Sequence, residues 1–197
     1  YGKQGAGKGG SGERANIARR RLPLIEEGGL TFAVNFDDYL DVGIFLDHRV
    51  TRNLVREHAK QARRFLNLFA YTGGATVACA KAGASVCHVD AAKGMVQWAR
   101  ENRECSGLPE DRVRWIIDDA LKFVQREARR GRFYDGILMD PPSYGRGPGG
   151  EVWKLENELY GLAKACSEAL SDDPLFFLIN GLSLIHISEP TRLGMIS

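Results

Sequence analysis

At 197 residues with 44% apolar side chains, the chain is long enough for one α/β domain with a buried core, plus an appendage. No run approaches the ~20 consecutive apolar residues of a membrane span, and no signal peptide is visible. A net charge of +2 names no partner, and Cys79, Cys87, Cys105 and Cys166 show neither a CxxC pair nor a histidine at ligand spacing. They read as buried reduced thiols of a cytoplasmic protein, with no metal expected.

Tyr1 is not an initiator, so the chain reads as beginning inside a longer protein. Residues 1–21 form a basic flexible arm, with Lys3, Lys8, Arg14, Arg19, Arg20 and Arg21 against the single acid Glu13. Such an arm suits either an RNA phosphate track or a solvated linker. Gly2-x-x-x-x-Gly7-Lys8 approaches a phosphate loop, but Gly9 stands where Ser or Thr would hold magnesium, and no strand precedes it. Residues 22–53 are a β-hairpin and connecting segment. Strand-like runs at 22–26 and 30–36 flank Glu27-Gly28-Gly29, and alternation predicts Phe32, Val34 and Phe36 on one buried face. The stretch 38–52 is dense in aromatic and charged groups, and a helix is expected over 50–61.

Residues 54–180 alternate strand and helix: strands at 65–70, 85–89, 112–117, 134–139 and 175–179, helices at 74–82, 92–105, 119–130 and 152–170. That rhythm predicts an α/β, doubly wound, mostly parallel sheet with helices on both faces. At its centre an apolar run ends in Tyr71-Thr72-Gly73-Gly74 and passes into a small-residue helix, so backbone N–H groups can meet a ligand. The next strand closes in Asp90, the residue type that accepts hydrogen bonds from ribose hydroxyls; its structural alternative is a helix N-cap. The pattern is not GxGxxG, which argues against NAD. Arg126, Arg129, Arg130 and Arg132 cluster before the fourth strand and read first as a helix C-terminus complementing its dipole.

The series Leu66-Asn67-Leu68-Phe69-Ala70-Tyr71-Thr72-Gly73-Gly74, Val89-Asp90, Asp118-Asp119 and Asp140-Pro141-Pro142 resembles the motifs of class I S-adenosylmethionine-dependent methyltransferases, in the large-subunit ribosomal RNA branch. Residues 38–41 and Phe45-Leu46-Asp47-His48-Arg49-x-x-Arg52 resemble the segment ahead of the catalytic domain in ribosomal RNA guanine-N7 enzymes. Residues 143–154 resemble a different branch. The resemblance implies a Rossmann-like methyltransferase fold with S-adenosylmethionine as cofactor, RNA as partner and a nitrogen of guanine as acceptor. Cytosine C5 and a non-catalytic RNA-binding module are the alternatives.

It further implies Phe69, Tyr71, Thr72, Gly73, Asp90, Asp118 and Asp119 at the cofactor, with Asp119 or Asp118 near the adenine and an N-cap role as the alternative for Asp119. Asp140, Pro141, Pro142 and Tyr144 would take the acceptor base, the carboxylate and proline carbonyls accepting from a target nitrogen and the tyrosine stacking. Asp47, Arg49 and Arg52 read equally as RNA or cofactor contacts and as parts of a salt-linked interdomain hinge. A C5 reaction needs a nucleophilic cysteine, and the family supplies it where this chain has Ile179-Asn180-Gly181. Residues 181–197 read as a translated sequencing adapter, a non-native tail, with the family's last strands missing.

Overall fold

The computed structural model describes residues 22–37, 42–146, 152–180 and 186–188. The basic arm, residues 38–41 and most of the tail lie outside them. β1 (Leu24–Glu27) and β2 (Leu30–Ala33) form an antiparallel hairpin. Its two turn residues, Gly28 and Gly29, have φ of 60° and 75°, the left-handed pair that a two-residue hairpin turn requires. α1 (Arg49–Ala59) follows, turning Arg52, Val55 and Ala59 inward at helical spacing.

The main unit comprises β3 (Arg64–Leu68), α2 (Gly74–Lys81), β4 (Ser85–Asp90), α3 (Lys93–Cys105), β5 (Val113–Ile117), α4 (Ala120–Arg129), β6 (Gly136–Met139), α5 (Leu155–Glu168) and β9 (Phe176–Ile179). A second hairpin, β7 (Tyr144–Arg146) and β8 (Val152–Lys154), lies between β6 and α5. With β10 (His186–Ser188) at its edge, the central sheet runs β10-β9-β6-β3-β4-β5, and every pairing from β5 through β9 is parallel. Chain order reverses between β3 and β6, so a crevice opens there at the carboxyl ends of the strands.

Strand alternation divides the core into two layers. Phe65, Val86, Val113, Leu138, Phe176 and Leu178 face one side with α1, α2 and the hairpin residues Leu30, Phe32 and Val34. Leu66, Leu68, Cys87, Val89, Ile137 and Met139 face the other, against Phe123 and Val124 of α4 and Leu162 and Cys166 of α5. The N-terminal hairpin is joined to α3: Trp98 Nε1 donates to the Ala33 carbonyl at 2.9 Å, and Asn102 Oδ1 accepts from the Ala33 N–H at 2.8 Å.

Three boundaries differ from expectation. Phe36 is 67% exposed, because β2 ends at Ala33 and the alternation does not carry the inward face beyond Val34. Residues 152–154 are strand rather than the first turn of a helix, because they pair with 144–146. β10 (His186–Ser188) pairs antiparallel with β9, His186 opposite Ile179, so the outer edge of β9 is covered over three residues. Among the described residues no helix is long and apolar enough to cross a membrane.

Candidate active site

The loop after β3 bends because two non-glycine residues take left-handed backbone: Phe69 has φ 52° and Tyr71 φ 50°. Such conformations cost on the order of 1–3 kcal/mol each and persist where their surroundings impose them. Here Asp90 supplies the constraint. Its Oδ2 accepts from the Tyr71 N–H and its Oδ1 from the Ala92 N–H, both at 2.8 Å. Each oxygen keeps a further lone pair for a hydroxyl. Burial raises the carboxyl's pKa, and the two backbone donors oppose the rise. The N-cap position of α3 is Ala92, so Asp90 braces the loop and the turn rather than capping the helix itself.

Gly73 and Gly74 have packing reasons. Gly73 has φ 79°, and a Cβ there would stand 2.8 Å from Ala99 Cβ; one on Gly74 would stand 3.1 Å from Arg52 Cδ. The pair lets α3 and α1 close onto the loop. Thr72 is buried, its hydroxyl donating to the Gly43 carbonyl and its own carbonyl accepting from Asn102 Nδ2 at 2.8 Å.

At the end of β5 the two acids part. Asp119 caps α4 by accepting from the Lys122 N–H at 2.9 Å. Asp118 pairs with Arg126 at 2.6 Å and accepts from the Asp119 N–H. Arg130 and Arg132 of the same basic cluster lie 3.9 Å and 3.5 Å from the Glu127 carboxylate, so much of that charge is spent within the fold.

Asp140 ends β6, where its N–H donates to the Leu68 carbonyl. Its Oδ2 lies 3.2 Å from His48 Nδ1. Asn180, at the end of β9, is 5% exposed, and its Nδ2 lies 3.1 Å from each ring nitrogen of His48. The hydrogen bond with Asp140 raises the His48 pKa, against an opposing effect of burial. Pro142 presents a carbonyl that is already engaged, accepting from Trp153 Nε1 at 2.7 Å. That indole stands 5.4 Å from the Phe69 ring, centroid to centroid. Phe45 lies 5.1 Å from the Tyr71 ring.

These groups border one cleft of about 860 Å³, lined by Phe69, Tyr71, Asp90 and Asp119 together with Asp140, Pro141, Pro142 and Tyr144. Thr72, Gly73 and Asp118 are not part of its lining. Arg52 is 5% exposed and donates to both Glu27 oxygens at 2.8 Å and to the Phe45 carbonyl at 2.6 Å, the salt-linked arrangement left open by its sequence context. Arg49 is exposed at the start of α1. His48, Asn180 and Trp153 are the site residues that sequence reasoning passed over. The Asp47-His48-Arg49 segment stands out in the sequence for its charge density, but the link from His48 to Asn180 spans 132 residues and leaves no local signal.

The residues present fit a nucleoside cofactor. Asp90 lines the cleft with acceptor capacity to spare, at a strand end beside an aromatic loop held open by left-handed backbone.

Comparison with known proteins agrees. The profile of the family described as S-adenosylmethionine-dependent methyltransferase matches residues 17–156. "Ribosomal RNA large subunit methyltransferase K" of Neisseria meningitidis is 37% identical over 161 residues, covering 81% of this chain and 45% of that protein. "Ribosomal RNA large subunit methyltransferase K/L" of Methylococcus capsulatus is 47% identical over 123 residues, 61% of this chain and 16% of that one. Among solved structures, a SAM-dependent methyltransferase from Agrobacterium tumefaciens superposes with TM-score 0.78 at 40% identity, over 84% of this chain and 54% of that chain. A putative methyltransferase complexed with SAH gives TM-score 0.75 at 30% identity, over 82% and 42%. The chain thus spans less than half the length of these two curated relatives and about half that of these structures. It belongs to the S-adenosylmethionine-dependent methyltransferase family.

Proposed function

We propose that the chain is the catalytic part of an enzyme that methylates a guanine nitrogen of large-subunit ribosomal RNA. The observation that carries this reading is the Asp140-Pro141-Pro142 turn at the end of β6, which lines the same cleft as Asp90. The two curated relatives, both named as large-subunit ribosomal RNA methyltransferases, support the RNA class. The cofactor, when bound, supplies an electrophilic methyl group. Asp90 holds the ribose hydroxyls, the loop 69–73 the amino-acid end, and Asp119 the adenine edge. Asp140 accepts a hydrogen bond from the acceptor base, with the Pro141 carbonyl beside it. Tyr144 and Trp153 flank that base, and Arg49 reaches RNA phosphate. Alignment of acceptor and donor is the main source of acceleration.

A nitrogen target is favoured over cytosine C5 because the cysteines offer no nucleophile. None of the four lines the cleft. Cys79, Cys87 and Cys166 are buried, and burial pushes the Cys87 and Cys166 thiols up to about 11 and about 12. The test is incubation with radiolabelled S-adenosylmethionine and ribosomal RNA, followed by mapping of the labelled nucleotide. Label on a guanine nitrogen supports the reading. Label on cytosine C5, or cofactor binding without any transfer, overturns it.

A further inference from the structure

The group that the reaction does not use is His48, which lines the cleft and contacts both Asp140 and Asn180. We propose that His48 is a positioning residue, packed beside the Asn180 amide and acting through Asp140 to hold one carboxylate oxygen so that the other faces the acceptor nitrogen. This rests on the reading of Asp140 given above.

Three elements converge to make the arrangement. Asp140 follows β6, Asn180 follows the neighbouring β9, and His48 precedes α1. The Asn180 N–H donates to the Met139 carbonyl at 2.8 Å, which fixes the two strand ends relative to each other. A carboxylate at a strand end otherwise rotates about its side-chain bonds, and a donor on one oxygen removes that freedom before substrate arrives. Both side chains remain in contact with solvent, His48 at 24% and Asp140 at 29% exposure, so the pair is placed to meet a ligand rather than to close the core. The groups facing the imidazole are Asp140, Asp47 with Oδ2 3.8 Å from Nε2, Arg52, the Asn180 amide and the Phe45 ring. The two carboxylates raise the imidazole's pKa and Arg52 opposes them, while the Asp140 hydrogen bond is the largest influence. The Asp140 hydrogen bond on Nδ1 thus favours the protonated imidazole and raises its pKa above the ordinary histidine value of 6.5.

The chemistry balances without His48 as a reactant. The acceptor nitrogen forms a bond to the methyl carbon, and the sulfur–carbon bond breaks with its electron pair returning to sulfur. An amine acceptor then releases one proton through the Asp140 carboxylate to solvent. A ring nitrogen such as N7 releases none and keeps the positive charge beside that carboxylate. In both cases the demand on His48 is orientation.

The experiment compares the chain with its His48→Phe, His48→Gln, Asp140→Ala and double His48→Phe/Asp140→Ala variants. Three properties are measured: S-adenosylmethionine affinity by calorimetry, methyl transfer to ribosomal RNA against pH, and the imidazole titration by NMR. His48→Phe is expected to lower kcat about tenfold or more, the scale of one charge-assisted hydrogen bond, with cofactor Kd within about twofold. His48→Gln, which retains a donor, should recover part of the loss. In the Asp140→Ala background the histidine change should cost nothing further, because the interaction it serves is gone. The alkaline limb of the rate profile should disappear in His48→Gln, and the imidazole should titrate above 6.5 in the parent but lower in Asp140→Ala. Additive losses, an unshifted titration, or a parent-like rate in His48→Phe would overturn the proposal. A parent chain that binds cofactor yet never methylates RNA would instead overturn the functional reading beneath it, and the NMR arm would then show whether the pair exists independently.

Discussion

Asp90 is the residue on which the cofactor reading can be tested most directly. Replacement by alanine removes the ribose acceptor and also the brace on the Tyr71 and Ala92 N–H groups, so S-adenosylmethionine binding should weaken by at least ~1.5–3 kcal/mol, the scale of a hydrogen bond to a charged group. Asparagine is expected to be nearly as damaging. Both native oxygens accept N–H groups, and an amide would turn an N–H donor of its own toward one of them. The pH dependence follows from the raised carboxyl pKa. Hydroxyl donors need the ionised form, so cofactor affinity should fall on acidification beginning above the ordinary value of 3.8. Calorimetry across that range checks it, and a flat affinity would remove the ribose assignment.

At the scale of elements, the β3–α2 turn and the β7–β8 hairpin govern the two sides of the cleft. Gly73→Ala places a side chain in left-handed backbone and against Ala99. It should destabilise the fold by about 1–2 kcal/mol from the backbone alone, read as a lower melting temperature. A neutral change would mean that the loop can relax without its glycine. On the opposite side, Trp153→Ala removes the donor to the Pro142 carbonyl and the ring beside Phe69. Affinity for the acceptor RNA should drop by ~1–3 kcal/mol, the range of base–aromatic stacking, with cofactor affinity far less affected. Tyr144→Phe should be tolerated and Tyr144→Ala should not, if that ring stacks as proposed. Equal RNA affinities for all three variants, measured by filter binding, would take both rings out of the substrate site.

Across the whole molecule, one buried acid links α4 to the strand region that carries Asp140. Glu127 is fully buried and meets the Tyr134 hydroxyl and Arg114 at 2.8 Å. Its partners hold its pKa below the usual 4.5 despite burial. Its stabilising contribution is therefore complete above that value and is lost as pH falls through the lower folded pKa. The arginines are about half exposed and screened by solvent, so the tyrosine bond dominates. Glu127→Ala should cost ~1–3 kcal/mol by orphaning that hydroxyl, and Tyr134→Phe in the same background should add little, as a double-mutant cycle in urea would show.

The far edge of the sheet has a separate liability. Deleting residues 182–197 removes a three-residue ladder on β9 and should shift the melting temperature little, yet bare an apolar edge that invites association. Light scattering against protein concentration distinguishes this from unfolding. A large loss of thermal stability in a protein that stays monomeric would make β10 a structural element in its own right.

The local grammar of the fold is legible in the chain itself. Phe65, Leu66, Asn67 and Leu68 alternate between two core layers as a buried parallel strand must, the glycine pair stands where the strand turns into α2, and Asp90 closes the next strand. These signals are local because periodicity, turn chemistry and strand ends act within a few residues. Non-local contacts decided the rest. Whether 152–154 would be helix or strand depended on a partner at 144–146. That Gly73 and Gly74 also admit the close approach of α3 and α1 depended on where those helices lie. Arg52 of α1 acquired Glu27 from the N-terminal hairpin, and His48 acquired Asp140 and Asn180 only when strand order set β6 beside β9. A sequence records which face each residue turns inward; the tertiary packing alone selects what waits on that face.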